Sequence, residues 1–136
     1  MNVLVIDDSA LARAALRRIL AASGAKVFEQ ASAIGATRSI LQNSIDVALV
    51  DVSMPGLSGD RLVRLLRDNP RLKGLFVVLV SAQPESKLQA LVGPGMADAA
   101  VTKEHVERQL PGLLMKFESR LPRRSLGASK GESEGA

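Results

Sequence analysis

The sequence contains no cysteine, which excludes a disulfide scaffold and thiolate metal sites. A single histidine removes most zinc and haem arrangements, so any metal must be held by oxygen. Tryptophan and tyrosine are also absent and phenylalanine occurs three times, leaving almost nothing on which nucleic-acid bases could stack. No apolar run approaches the roughly 20 residues of a membrane helix. Met1-Asn2 leads into a strand-like segment without a basic leader, so the expectation is a soluble, cytoplasmic protein with no membrane contact. Charge of one sign is hardly in excess, with 18 Lys+Arg against 14 Asp+Glu. Half of that excess lies beyond residue 118, which argues against an extended surface for direct nucleic-acid binding.

What is present is ordinary globular composition, 46% hydrophobic and 24% charged over 136 residues, enough for one core. Short apolar runs at 3–6, 26–29, 47–50, 75–80 and 99–101 read as buried parallel strands. Helical spacing fills the gaps. Ala12, Ala15, Leu16, Ile19 and Leu20 share one face with Arg13 and Arg17 opposite, between a Ser9 cap and a Gly24 stop. Residues 32–43 put Ile34, Thr37, Ile40 and Leu41 inward. Leu62, Leu65 and Leu66 face inward on a third helix whose Arg61, Arg64 and Arg67 form a solvated row, ended by Pro70. A short fourth helix follows Pro84, and a last one carries Val106, Leu110, Leu113, Leu114 and Phe117. Five alternations of strand and helix predict an α/β, doubly wound parallel sheet. The expected division is a folded unit over 1–118 and a flexible basic and polar tail over 119–136, whose Arg123-Arg124 pair is too small for a nucleic-acid site.

In such a sheet ligands bind at the carboxyl ends of the strands. There stand Asp7-Asp8, Asp51, Ser81 and Lys103. Each alone has a bland reading: Asp-Asp and Ser81 as caps, Asp51 as a turn residue, Lys103 as a solvated amine. Unrelated loop residues have no reason to fall at one edge with complementary charges. Three carboxylates placed together raise one another's pKa unless a cation offsets them, and Mg²⁺ is the natural choice for oxygen ligands that also meet a phosphoryl group.

The segments Val5-Ile6-Asp7-Asp8-Ser9, Ala48 through Gly59 with Asp51-Val52-Ser53-Met54-Pro55-Gly56, Val80-Ser81-Ala82 and Val101-Thr102-Lys103 resemble the receiver domain of bacterial two-component response regulators, over residues 2–117. The resemblance implies a flavodoxin-like (βα)5 fold with strand order 2-1-3-4-5. It implies that Asp51 accepts a phosphoryl group from a phosphohistidine on a histidine kinase or phosphotransfer protein. Asp8, the Asp51 carboxylate and the Ser53 backbone carbonyl would bind Mg²⁺, with Asp7 acting through water. Lys103 and Ser81 would contact phosphoryl oxygens, Met54-Pro55-Gly56 would turn over the site, and Ser53 and Gln83 would tune dephosphorylation.

Three positions depart from the family pattern. Ala100 stands where an aromatic switch residue is usual, Glu104 where proline follows the lysine, and Pro111-Gly112 is expected to interrupt the last helix. The leading expectation is a single-domain phosphorylation switch, not an enzyme beyond its own phosphoryl chemistry, acting on an unidentified downstream protein. The alternative is a phosphorylation-independent scaffold. A haloacid-dehalogenase-type hydrolase needs a second acid where Ser53 stands, and a dinucleotide-binding module needs a glycine-rich turn after the first strand that is missing here.

Overall fold

The five apolar runs become five strands in the computed structural model: β1 (Asn2–Ile6), β2 (Lys26–Gln30), β3 (Val47–Asp51), β4 (Phe76–Ser81) and β5 (Ala99–Thr102). The structure describes residues 1–53 and 59–122, with the side chains of Gly59, Asp60 and Glu85 left aside. The sequence-predicted Met54-Pro55-Gly56 turn and Arg123-Arg124 lie outside the described residues. All pairings are parallel, in the order β2-β1-β3-β4-β5. Helices α1 (Ala10–Ala22), α2 (Ala36–Gln42), α3 (Gly59–Arg67), α4 (Glu85–Leu88) and α5 (Val106–Arg120) make the crossovers, with 3-10 turns at Pro70–Leu72 and Gln89–Leu91.

Strand alternation divides the core in two. Leu4, Ile6, Ala48, Val50, Val77 and Leu79 pack against Ile40 of α2 and Leu62, Val63 and Leu66 of α3. Val3, Val5, Val47, Leu49, Val78, Val80 and Val101 pack against Leu16 and Leu20 of α1 and Leu110, Leu114 and Phe117 of α5. Phe117 stacks on Phe76 with ring centroids 4.4 Å apart. Because both faces are covered, the central strands read as continuous apolar runs and their polar ends are pushed to the sheet edge.

Ser9 caps α1, accepting the Ala12 amide at 3.1 Å, and the chain leaves that helix through Gly24 at φ +82°. Several expectations fail locally. Helix α2 begins only at Ala36, because the Ile34 amide bonds to Ser32 Oγ and Gly35 adopts φ +79°; Ile34 is 90% exposed and Ala36 takes its place inside. On α3 the inward set is Leu62, Val63 and Leu66, and Leu65 faces solvent. Ala15 is likewise outside. Arg67 leaves the solvated row: its guanidinium donates to Met96 O at 2.8 Å and Leu75 O at 2.7 Å and pairs with Asp98. Pro111 does not break α5, which runs unbroken through it. The carbonyl it leaves without a helical donor belongs to exposed Glu107, where water can serve it.

Candidate functional site

Parallel register brings the ends of β1 and β3 side by side, Ile6 opposite Val50, so the residues that follow emerge together. Asp7 and Asp51 are 1% and 4% exposed, whereas Asp8 is exposed. Carboxylate oxygens of Asp7, Asp8 and Asp51 lie within 4.8 Å of one another, the cluster that the spacing predicts. Two backbone amides fix the buried pair: Ser9 N–H donates to Asp7 Oδ1 at 2.9 Å, and Ser53 N–H to Asp51 Oδ1 at 2.9 Å. Each carboxylate is thus held by the amide two residues on, in the local turn that aspartate favours.

Lys103 follows β5, whose place beside β4 is secured by its own amide donating to Ser81 O at 2.7 Å. Its ammonium lies 3.4 Å from Asp7 Oδ2 and 3.9 Å from Asp51 Oδ2. Ser81, fully buried at the end of β4, accepts the Gln83 amide on its hydroxyl oxygen at 2.9 Å, which leaves the hydroxyl hydrogen available to a ligand. The Lys103-Glu104 peptide is trans, as expected without proline. Beyond it, Thr102 Oγ1 meets His105 Nδ1 at 3.1 Å, a contact that pattern reasoning missed because threonine and histidine there resemble ordinary loop residues.

Asp51 has its pKa raised above the ordinary carboxylate value, chiefly by burial. The Ser53 amide opposes the rise, the Asp7 charge adds to it, Lys103 opposes it and Asp8 adds again. The expectation of mutual repulsion therefore holds for Asp51 as a lesser cause, behind desolvation.

Asp7 Oδ2 is a buried oxygen without a hydrogen-bond donor among the described residues; the lysine beside it makes an ion pair whose geometry falls short of a hydrogen bond. An orphaned acceptor, three convergent carboxylates and a charge-disfavoured Asp51 together fit a hard divalent cation, which prefers oxygen ligands. One lysine does not offset three acids.

By its spacing Arg13 falls on the face of α1 opposite the apolar one. There its Nη1 donates to the Asp7 carbonyl at 2.6 Å, and its Nε lies 3.5 Å from Glu29 of β2. A long cation one turn beyond a helix cap, next to a strand end, was the available signal.

Residues 3–114 match the family model of the response regulator receiver domain. The gliding motility regulatory protein of Myxococcus xanthus is 35% identical over 105 residues, 76% of this chain and 13% of that protein. Response regulator UvrY of Escherichia coli (strain K12) is 37% identical over 95 residues, 68% of this chain and 42% of UvrY. The chain therefore spans less than half the length of these two relatives. Among solved structures, the signal receiver domain of a signal transduction histidine kinase from Syntrophus aciditrophicus superposes with a TM-score of 0.76 at 25% identity, covering 91% of this chain and 94% of that one. TrrA of Thermotoga maritima, in complex with Mg²⁺-BeF, gives 0.73 at 23% identity, covering 85% and 97%; at that identity the likeness speaks for the fold alone. The family match spans both cores and the strand ends that carry the acids, and on it the chain belongs to the response regulator receiver domains of two-component signalling.

Proposed function

We propose that Asp51 accepts a phosphoryl group from a phosphohistidine on a histidine kinase or phosphotransfer protein, and that the phosphorylated chain signals through a protein contact. The observation that carries this is the placement of Asp51, buried and amide-anchored, within reach of Lys103 and two further acids. An Asp51 carboxylate oxygen attacks phosphorus, the phosphorus–nitrogen bond to imidazole breaks, and an acyl phosphate forms while the imidazole leaves. The Ser53 amide fixes the plane of the carboxylate, so that attack needs little reorientation. Lys103 sits where it can offset charge on one transferring oxygen, and the Ser81 hydroxyl can donate to another. Asp8, the Asp51 carboxylate and the Ser53 carbonyl would hold Mg²⁺, with Asp7 acting through water. Bound there, the cation offsets charge on the transferring group. By the family likeness Ser53 and Gln83 would tune how fast water removes the phosphoryl group. The reading is of a signalling module with no separate substrate to turn over.

With acetyl phosphate and Mg²⁺, intact-mass analysis should show one added phosphoryl group, lost in Asp51→Asn. Equal labelling of that variant would remove Asp51 from the role.

A further inference from the structure

Arg13 is placed to act on the acidic turn from behind. Its side chain is only 19% exposed; its guanidinium donates to the Asp7 carbonyl at 2.6 Å and forms an ion pair with Glu29, Nε to Oε1 at 3.5 Å. Glu29 is itself anchored on its other oxygen by Arg17 at 2.6 Å. On the opposite side the Asp7 amide donates to Gln30 O at 3.2 Å, so the peptide groups flanking Asp7 are gripped from β2 and α1 at once. The Ser9 amide, two residues on, closes on Asp7 Oδ1 and Ser9 then starts the helix, so the backbone that carries Asp7 and Asp8 is also held from its own turn. The guanidinium fork suits this double duty, since it can bond a carbonyl and a carboxylate in one plane. The Glu29 carboxylate also counters its charge, which would otherwise repel a cation bound to the acids.

We propose that Arg13 is a positioning residue: by holding the Asp7 carbonyl while paired with Glu29, Arg13 orients the Asp7-Asp8 pair and so sets the divalent-cation affinity of the pocket without touching the cation or the phosphoryl group. This rests on the phosphoacceptor reading above. It also separates two physical roles with opposite signs. If Arg13 acted only as a nearby positive charge, removing it would tighten cation binding; if it orients the acids, removing it loosens binding.

The test titrates Mg²⁺ into the full chain, following the Asp7, Asp8 and Ser9 amide resonances, and measures acetyl phosphate labelling against Mg²⁺ concentration in the same preparations. Arg13→Met should weaken Mg²⁺ binding by about tenfold, the lower end for loss of a group that orients metal ligands, with the labelling rate at saturating Mg²⁺ unchanged. Arg13→Lys keeps the charge without the fork and should weaken binding by less, whereas Arg18→Ala, at an exposed arginine of the same helix, should leave it unchanged. A Met variant that binds Mg²⁺ as tightly as the wild type, or more tightly, overturns the proposal. Should the Met variant fail to fold, the Lys variant decides, and wild-type affinity there overturns it equally. If the wild type binds Mg²⁺ but Asp51 is not labelled, the phosphoacceptor reading falls while the affinities still score Arg13; if the wild type binds no Mg²⁺, both fall.

Discussion

Around Asp51 the polar groups are held: two carboxylates accept backbone-amide hydrogen bonds of 2.9 Å, Lys103 stands between them, and Ser81 is fully buried. Around Ala100, the strand that leads to Lys103 carries only small side chains, Ala99 and Ala100, before Val101. Ala99, Ala100, Val101, Gln109, Gly112 and Leu113 border an open cleft of about 350 Å³. Helix α4 is four residues long, and the loop after its 3-10 turn is tied back by the Val92–Ala97 bridge and by Arg67 bonding Met96 O. The difference teaches that the chemistry and its transmission rest on separate residues. With no ring at position 100, moving Ser81 toward a phosphoryl group vacates no space that a large side chain must fill, so one contact that could distinguish two states of the α4–β5 face is missing.

The largest expected effect lies in the pocket. Lys103→Met should slow acetyl phosphate labelling by roughly 10²–10³-fold, the usual loss when a donor to developing charge is removed. It also leaves buried Asp7 without its ion-pair partner, so a lowered melting temperature should accompany it. Labelling at the wild-type rate would break the pocket half of the comparison.

On the other side, Arg67→Ala should cost about 2–3 kcal/mol in denaturant unfolding, as expected where a charged donor serves partly buried carbonyls. Amide exchange in residues 92–98 should rise most. A variant as stable as the wild type would show that this loop is not held by Arg67. Next in size, Asp8→Ala should weaken Mg²⁺ binding by about tenfold or more, read by titration calorimetry, whereas Ala100→Tyr should leave that affinity unchanged.

The smallest effect follows from the raised pKa of Asp51. A carboxyl whose pKa is higher folded than unfolded favours the fold when protonated, so its contribution is full at acid pH and is lost as pH rises through the folded value. In cation-free buffer Asp51→Asn should therefore melt slightly higher than the wild type at neutral pH, and the gap should close as pH falls through the carboxylate range. A gap that widens toward acid pH would contradict the burial of an uncompensated charge.

The strand ends were legible because their chemistry is positional: an acid after each of two apolar runs, and a lysine after a third, fall on one edge once the sheet is parallel. The central strands followed from the same pattern, and the sheet order from the family likeness. Ile34 was not legible, since a helical period continues through it while Gly35 and the Ser32 side chain end the helix early. Leu65 and Val63 exchanged places because each lies near the border of the apolar stripe. Arg67 was misread, and the contacts of Arg13 were missed, for one reason: a guanidinium on a helix face is solvated unless a strand end or a loop offers carbonyls to it, and that offer exists only in the folded chain. Pro111 shows the converse, a local rule relaxed where the orphaned carbonyl faces water.

Amide chemical shifts of the wild type with Mg²⁺, before and after beryllofluoride, test the separation of pocket and face in one measurement. The account predicts large changes at Asp7, Asp8, Ser53, residues 81–84 and Lys103, with small ones at residues 88–92 and at Ala99 and Ala100. No change at the acids would contradict the phosphoacceptor pocket, and large changes concentrated at residues 88–92 and 98–106 would contradict the claim that transmission through that face is weakened without the ring.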